Sequence, residues 1–153
     1  MPQYVTTVQA TTNPAVNTED TFIEISLPAG NAGIIKRVHL SMNTPNSDAR
    51  LTANLRRVSA AGAGGIGGTA NKKNSIFRNT GATASIKTGA TAFSVGTAVD
   101  LPQQLNINGR ASFDWIPRNY MEEIVVQGGQ RFALGLLCSV ASQVVTATVE
   151  WED

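Results

Sequence analysis

One cysteine and one histidine stand in 153 residues. A lone Cys138 cannot close a disulfide within the chain, and its neighbours Leu136 and Leu137 suit a buried, inert thiol. His39 has no second histidine to share a metal, and structural metal sites take several nitrogen or sulfur ligands at close spacing. Charge is thin too: 15% of residues are charged, and 12 cations against 11 acids leave a formal net charge of +1. So small a net charge projects no overall field that selects nucleic acid or a membrane surface. No apolar run approaches the roughly 18 residues of a membrane span. No charged-then-apolar N-terminal pattern marks a secretory leader, and no Asn-x-Ser/Thr acceptor occurs. No segment of roughly 12 residues or more carries a convincing 3.6-residue period. These gaps point to a non-enzymatic protein made in a cytoplasm, with no cofactor.

What the chain does have is alternation. Ala147, Val149 and Trp151 interleave with Thr146, Thr148 and Glu150, the period-two pattern of a strand with one buried and one wet face. The same pattern predicts strands over 21–27 (Ile23, Ile25 and Leu27 inward, Glu24 and Ser26 outward), 33–42 (Val38, Leu40 and Met42 inward) and 50–59 (Leu51, Ala53 and Leu55 inward). A register slip between Leu55 and Val58 suits a bulge. Weaker strands are expected at 83–87, 91–95 and 97–101, then clear ones at 110–116, 122–127, 130–138 and 143–151. Asn108-Gly109 reads as a type I′ hairpin turn and Gly128-Gly129 as a second tight hairpin. About eight antiparallel strands at this spacing make an all-β, single jelly-roll-like sandwich over residues 21–153.

Residues 1–20 read as an extended N-terminal arm. Tyr4, Val5 and Val8 are too few to fold alone and are candidates for adding to a neighbouring subunit's sheet. Residues 60–82 are glycine-rich and read as a flexible excursion, the one low-complexity stretch. No acid lies between Asp48 and Asp100, whereas Arg50, Arg56, Arg57, Lys72, Lys73, Arg78 and Lys87 do. That asymmetry favours complementarity between copies or with an acidic partner.

Candidate chemistry dissolves on inspection. Gly62-Ala-Gly-Gly-Ile-Gly67 matches G-x-G-x-x-G, but no amphipathic helix follows and no acid stands about 20 residues on, so a dinucleotide site is excluded. Cys138 and His39 would make a nucleophile and base only if the fold joined them. Glu122 and Glu123 are neighbours on a strand and point to opposite faces. Lys72, Lys73, Phe77 and Arg78 form a small basic-aromatic patch, too sparse for nucleic acid and better suited to docking on a protein surface. Trp115, Tyr120 and Trp151 are sugar-stacking candidates for a receptor- or carbohydrate-binding module, provided they lie in an open groove. Alternation places both tryptophans in the core.

The C-terminal third reads Phe113-Asp-Trp-Ile-Pro117, Glu123-Ile-Val-Val126, Gln127-Gly-Gly-Gln-Arg-Phe-Ala-Leu-Gly135 and Val145-Thr-Ala-Thr-Val-Glu-Trp151-Glu-Asp. With the Ile34–Val38 and Arg50–Arg57 strands, it resembles the β-sandwich head decoration (cement) proteins of tailed bacteriophages. The resemblance covers roughly residues 20–153. It implies a homotrimer on the virion surface, gripping the major capsid protein through its arm or loops and acting without catalysis. Ile66, Phe77 and Phe93 are then candidates for contact between subunits.

Overall fold

The computed structural model describes residues 3–43, 48–73, 85–89, 94, 96–100 and 102–153. Among them it is all-β: β1 (Gln3–Thr11), β2 (Asp20–Ser26), β3 (Gly33–Met42), β4 (Arg50–Val58), β5 (Ile66–Gly67), β6 (Asn71–Lys72), β7 (Ser85–Thr88), β8 (Gln103–Asn108), β9 (Phe113–Trp115), β10 (Ile124–Val126), β11 (Arg131–Cys138) and β12 (Val144–Glu152). They form two antiparallel sheets. One runs β10-β3-β12-β1-β6, with β9 also on β3; the other runs β5-β7-β2-β11-β4-β8. The long strands pair as nested arms, β1 with β12, β2 with β11, β3 with β9 and β10, and β4 with β8.

The alternation of β12 is realised residue by residue. Val145, Ala147, Val149 and Trp151 are buried while the residues between them are half-buried. They face a core built from Val38 and Leu40 of β3, Leu51 and Leu55 of β4, and Phe132, Leu134 and Leu136 of β11. Cys138 joins this core as a buried free thiol.

Four expectations are corrected. Residues 3–11 are not a free arm: β1 pairs with β12 along its whole length, from Gln3 opposite Glu152 to Thr11 opposite Val144. Tyr4 is 1% exposed and stacks on Trp151, directly opposite, with ring centroids 5.7 Å apart. Threonines supplied much of the inward face that the composition had hidden: Thr6 and Thr12 are both buried. Second, β4 runs in unbroken register against β11 through Val58. The bulges lie elsewhere: Phe22 of β2 is the extra residue opposite Leu134/Gly135 of β11, and Lys36 of β3 is the extra residue opposite Glu150/Trp151 of β12. Third, Asn108-Gly109 and Gly128-Gly129 are not hairpin turns. Each links strands of different sheets. Gly129 has φ 82 and Gln130 donates its N–H to the Gln127 carbonyl, the type II turn that needs glycine at its third residue. Fourth, residues 97–100 hold only an isolated bridge, Ala98 to Val58. The strand expected at 91–95 lies, apart from Ser94, outside the described residues.

The glycine-rich segment is in part docked. Residues 59–63 lie across the outer face of the second sheet, tied to Ser94 and Thr97 by Ser59 N–H to the Thr97 carbonyl (2.8 Å) and Ser94 N–H to the Ala63 carbonyl (2.9 Å). Gly96 makes this approach feasible, since a Cβ there would stand 2.0 Å from the Ala60 carbonyl oxygen. The cover explains why Glu24, expected to face water, is 2% exposed. Its carboxylate accepts the Gly62 N–H at 3.0 Å and meets the Arg131 guanidinium at 3.3 Å.

Candidate functional site

The candidates read from the sequence scatter. Tyr4 belongs to the core. Val5 is half-buried and pairs in register with Asn71 of β6. Val8 and Ile66 do come together, lining with Ala10 and Thr88 a cleft of about 290 Å³ between β1 and the β5–β7 edge; Ile66 is 65% exposed there. Lys72 pairs in register with Tyr4, and Lys73 makes an ion pair with Glu150. Phe77, Arg78 and Phe93 lie outside the described residues. Trp115 and Trp151 are buried inside the sandwich. Cys138 faces the core from the second sheet, whereas His39 lies on the first sheet and bonds to Asp114. The Gly62–Gly67 motif spends its first N–H on Glu24 and leads into a strand, not a helix.

The outer face of the first sheet is a charge network. The register shift opposite Glu150/Trp151 leaves Lys36 as the extra residue of β3, so neighbouring Lys36 and Arg37 both reach acids across the sheet. Lys36 meets Glu123 at 3.0 Å and Glu152 at 3.6 Å; Arg37 meets Asp114 at 2.7 Å and Glu150 at 3.4 Å. Hydrogen bonding to Glu123 raises the Lys36 pKa, and hydrogen bonding to Asp114 raises that of Arg37. The Arg37 guanidinium, and secondarily His39, hold the Asp114 carboxyl below its ordinary value near 3.8. A lowered carboxyl pKa stabilises the fold above the ordinary value and loses that contribution as pH falls through the lowered one. Melting scans in low salt should therefore show Asp114→Asn less stable than the parent chain at pH 7. The gap should close below the ordinary carboxylate range; a gap independent of pH would refute the charge pairing. Among the described residues no group of three or more His, Cys, Asp or Glu side chains is placed to hold a metal ion.

The link between β9 and β10 is a surface of which sequence reasoning singled out only Tyr120. Ile116, Tyr120 and Met121 are 59%, 79% and 80% exposed. The link is stiff. Pro117 fixes its own φ and restricts Ile116 before it. The Asn119 side-chain oxygen accepts the Met121 N–H at 2.9 Å, the Glu122 N–H bonds to the Asn119 carbonyl at 3.1 Å, and the Glu122 carboxylate accepts the Arg118 N–H at 3.0 Å. Two hollows flank it. One, of about 470 Å³, is lined by Leu55, Arg57, Asp100, Gln103, Met121 and Ile124 among others. The other, of about 480 Å³, is lined by Gln103, Leu105, Phe113, Ile116, Arg118 and Glu122 among others. Both open on the side where β8 ends the second sheet and β9 and β10 end the first. A cluster of aromatic, Met, Arg and Ile side chains on a rigid turn has the composition of a protein-contact centre.

Compared with protein-family models and with curated proteins, this chain has no match.

Proposed function

We propose that this chain is a structural protein of a virus particle: a capsid decoration protein that binds the major capsid protein lattice and stabilises it. The observation that carries the reading is a two-sheet body presenting a stiff, exposed apolar turn, Ile116–Met121, on its side. A cement works by tying together surfaces that would otherwise part, and it needs a rigid body and preorganised contacts. The nested strand pairing supports the same reading, because nested antiparallel pairs are what a jelly roll would give, a form common among capsid domains. The phage-like motifs supply strands β9 to β12, which form part of that body. The homotrimer and the virion-surface location implied by the resemblance belong to the same proposal. The arm does not, since β1 is part of the sandwich.

The test is heat or pressure challenge of particles with and without the protein. Particles lacking it should release their contents at lower temperature or pressure, and added purified protein should restore the parental value. Equal resistance would end the reading. Tyr120, the one exposed residue of the three aromatic candidates, keeps a glycan-binding module as the second reading; retention on a glycan array, lost in Tyr120→Ala, would favour it.

A further inference from the structure

We propose that the β9–β10 link and its two flanking hollows form the contact between copies of this chain, with Tyr120 and Met121 of one copy seated in the hollows of the next. The surface carries its own projection and its own recess. Each hollow falls within the 300–1,000 Å³ typical of small-molecule sites, ample for one large side chain, and each has an apolar floor in Leu55 and Ile124 or Leu105 and Phe113. Tyr120 lines neither hollow and Met121 lines the first, and the two are 79% and 80% exposed, so both side chains are free to enter a second copy.

Charge argues for the same occupant. Most charges around the hollows are already matched: Arg57 with Asp100, Lys36 with Glu123, Arg37 with Asp114. Two are not. Among the described residues the Arg118 guanidinium has no ion pair, and the Glu122 carboxylate meets only a backbone N–H. One unmatched cation and one unmatched acid on a single patch suit contact between copies, since Arg118 of one copy can meet Glu122 of the next around a closed symmetric assembly. A partner of one charge sign would leave one of the two unanswered. The neighbouring strand β8 fits as well. It ends its sheet, and Gln103–Asn108 contains no charged residue and no proline. Exposed edges are ordinarily guarded by such residues, and an unguarded one is open to another chain. Stiffness lowers the ordering cost that association would otherwise carry.

The contact is independent of what the protein decorates. Light scattering after size exclusion, at tens of micromolar, should give the parent chain a mass that is a multiple of 16.1 kDa. The double variant Tyr120→Ser/Met121→Ser should elute with the mass of one chain. Arg118→Glu, which would set like charges together, should weaken association about tenfold or more. Both variants alter exposed side chains, so an unchanged melting transition separates lost contact from lost fold. A parent chain with the mass of one copy, or a double variant that keeps the parental mass, would overturn the proposal. Particle stability is read separately: copies that associate yet leave particles no more resistant sink the cement reading and leave this one standing.

Discussion

Removal of residues 1–11 should leave a chain that does not fold. The expectation from composition alone is the reverse, a dispensable arm whose loss spares the domain. The structure makes β1 a central part of the first sheet. It lies between β12 and β6, pairs with β12 at nine positions, and drives Tyr4 into the core against Trp151. Truncating one buried aromatic side chain costs about 3–5 kcal/mol, against a total stability of about 5–15 kcal/mol for a typical domain. Deleting β1 also removes buried Thr6, uncovers Val149 and Trp151, and strips β12 of its ladder partners. The truncated chain should show no cooperative melt by circular dichroism and rapid proteolysis. The milder Tyr4→Ala should fold, with a melting temperature lower by on the order of 10 °C. A truncated chain that unfolds cooperatively near the parental temperature would contradict this account of β1.

The second large effect is centred on Glu24. Its carboxylate is buried between the second sheet and the segment laid across it, with Arg131 and the Gly62 N–H as its partners. Arg131→Met keeps the packing volume of the side chain and removes the cation. A buried charge left without its partner costs about 3–5 kcal/mol, whereas replacing the whole pair by neutral groups is often nearly neutral. Arg131 is one-quarter exposed, which places the loss at the lower end of that range. Urea titration should show the midpoint fall in Arg131→Met and recover most of its value in Glu24→Gln/Arg131→Met. The glutamine keeps an acceptor for Gly62 and carries no charge. In the single variant, residues 59–63 should also become the first site of proteolytic cutting, because Arg131 bonds the Ser59 carbonyl as well. A double variant no better than the single one would show that the ion pair is not the source of the loss.

Glu24 also marks where reading from sequence stops. Strands such as β12 were legible because their inward residues are large and apolar and their outward ones are not. The same alternation assigned Glu24 to water, and the assignment failed because a second layer covers that face. The layer is made of glycine and alanine, which read locally as slack. The missing side chain at Gly96 is what lets its backbone meet that of Ala60. β1 was missed for a related reason: threonine serves as an inward residue at Thr6 and Thr12, and threonine carries little hydrophobic signal. Turn chemistry gave the positions of the breaks at Asn108-Gly109 and Gly128-Gly129. It did not give which sheet the next strand would enter, because a tight turn and a crossing between layers can begin with the same residues. Of the Ile116–Met121 turn only Tyr120 was singled out, as a sugar-stacking candidate; Ile116 fell at the end of one expected strand and Met121 in the gap before the next, so neither marked an exposed surface. Only the three-dimensional placement of β8, β9 and β10 leaves them outside.

The nested pairing also sets the order in which the molecule can be completed. The outermost pair joins the first strand to the last, Gln3 to Glu152. During synthesis β1 emerges early and finds its long partner only when β12 has been made, so the first sheet closes last. Pairing across so much intervening chain is slow, and an unpaired strand is open to wrong partners while it waits. Five of the nine residues of β1 are threonine or glutamine, which limits the apolar surface that the strand would present while it waits.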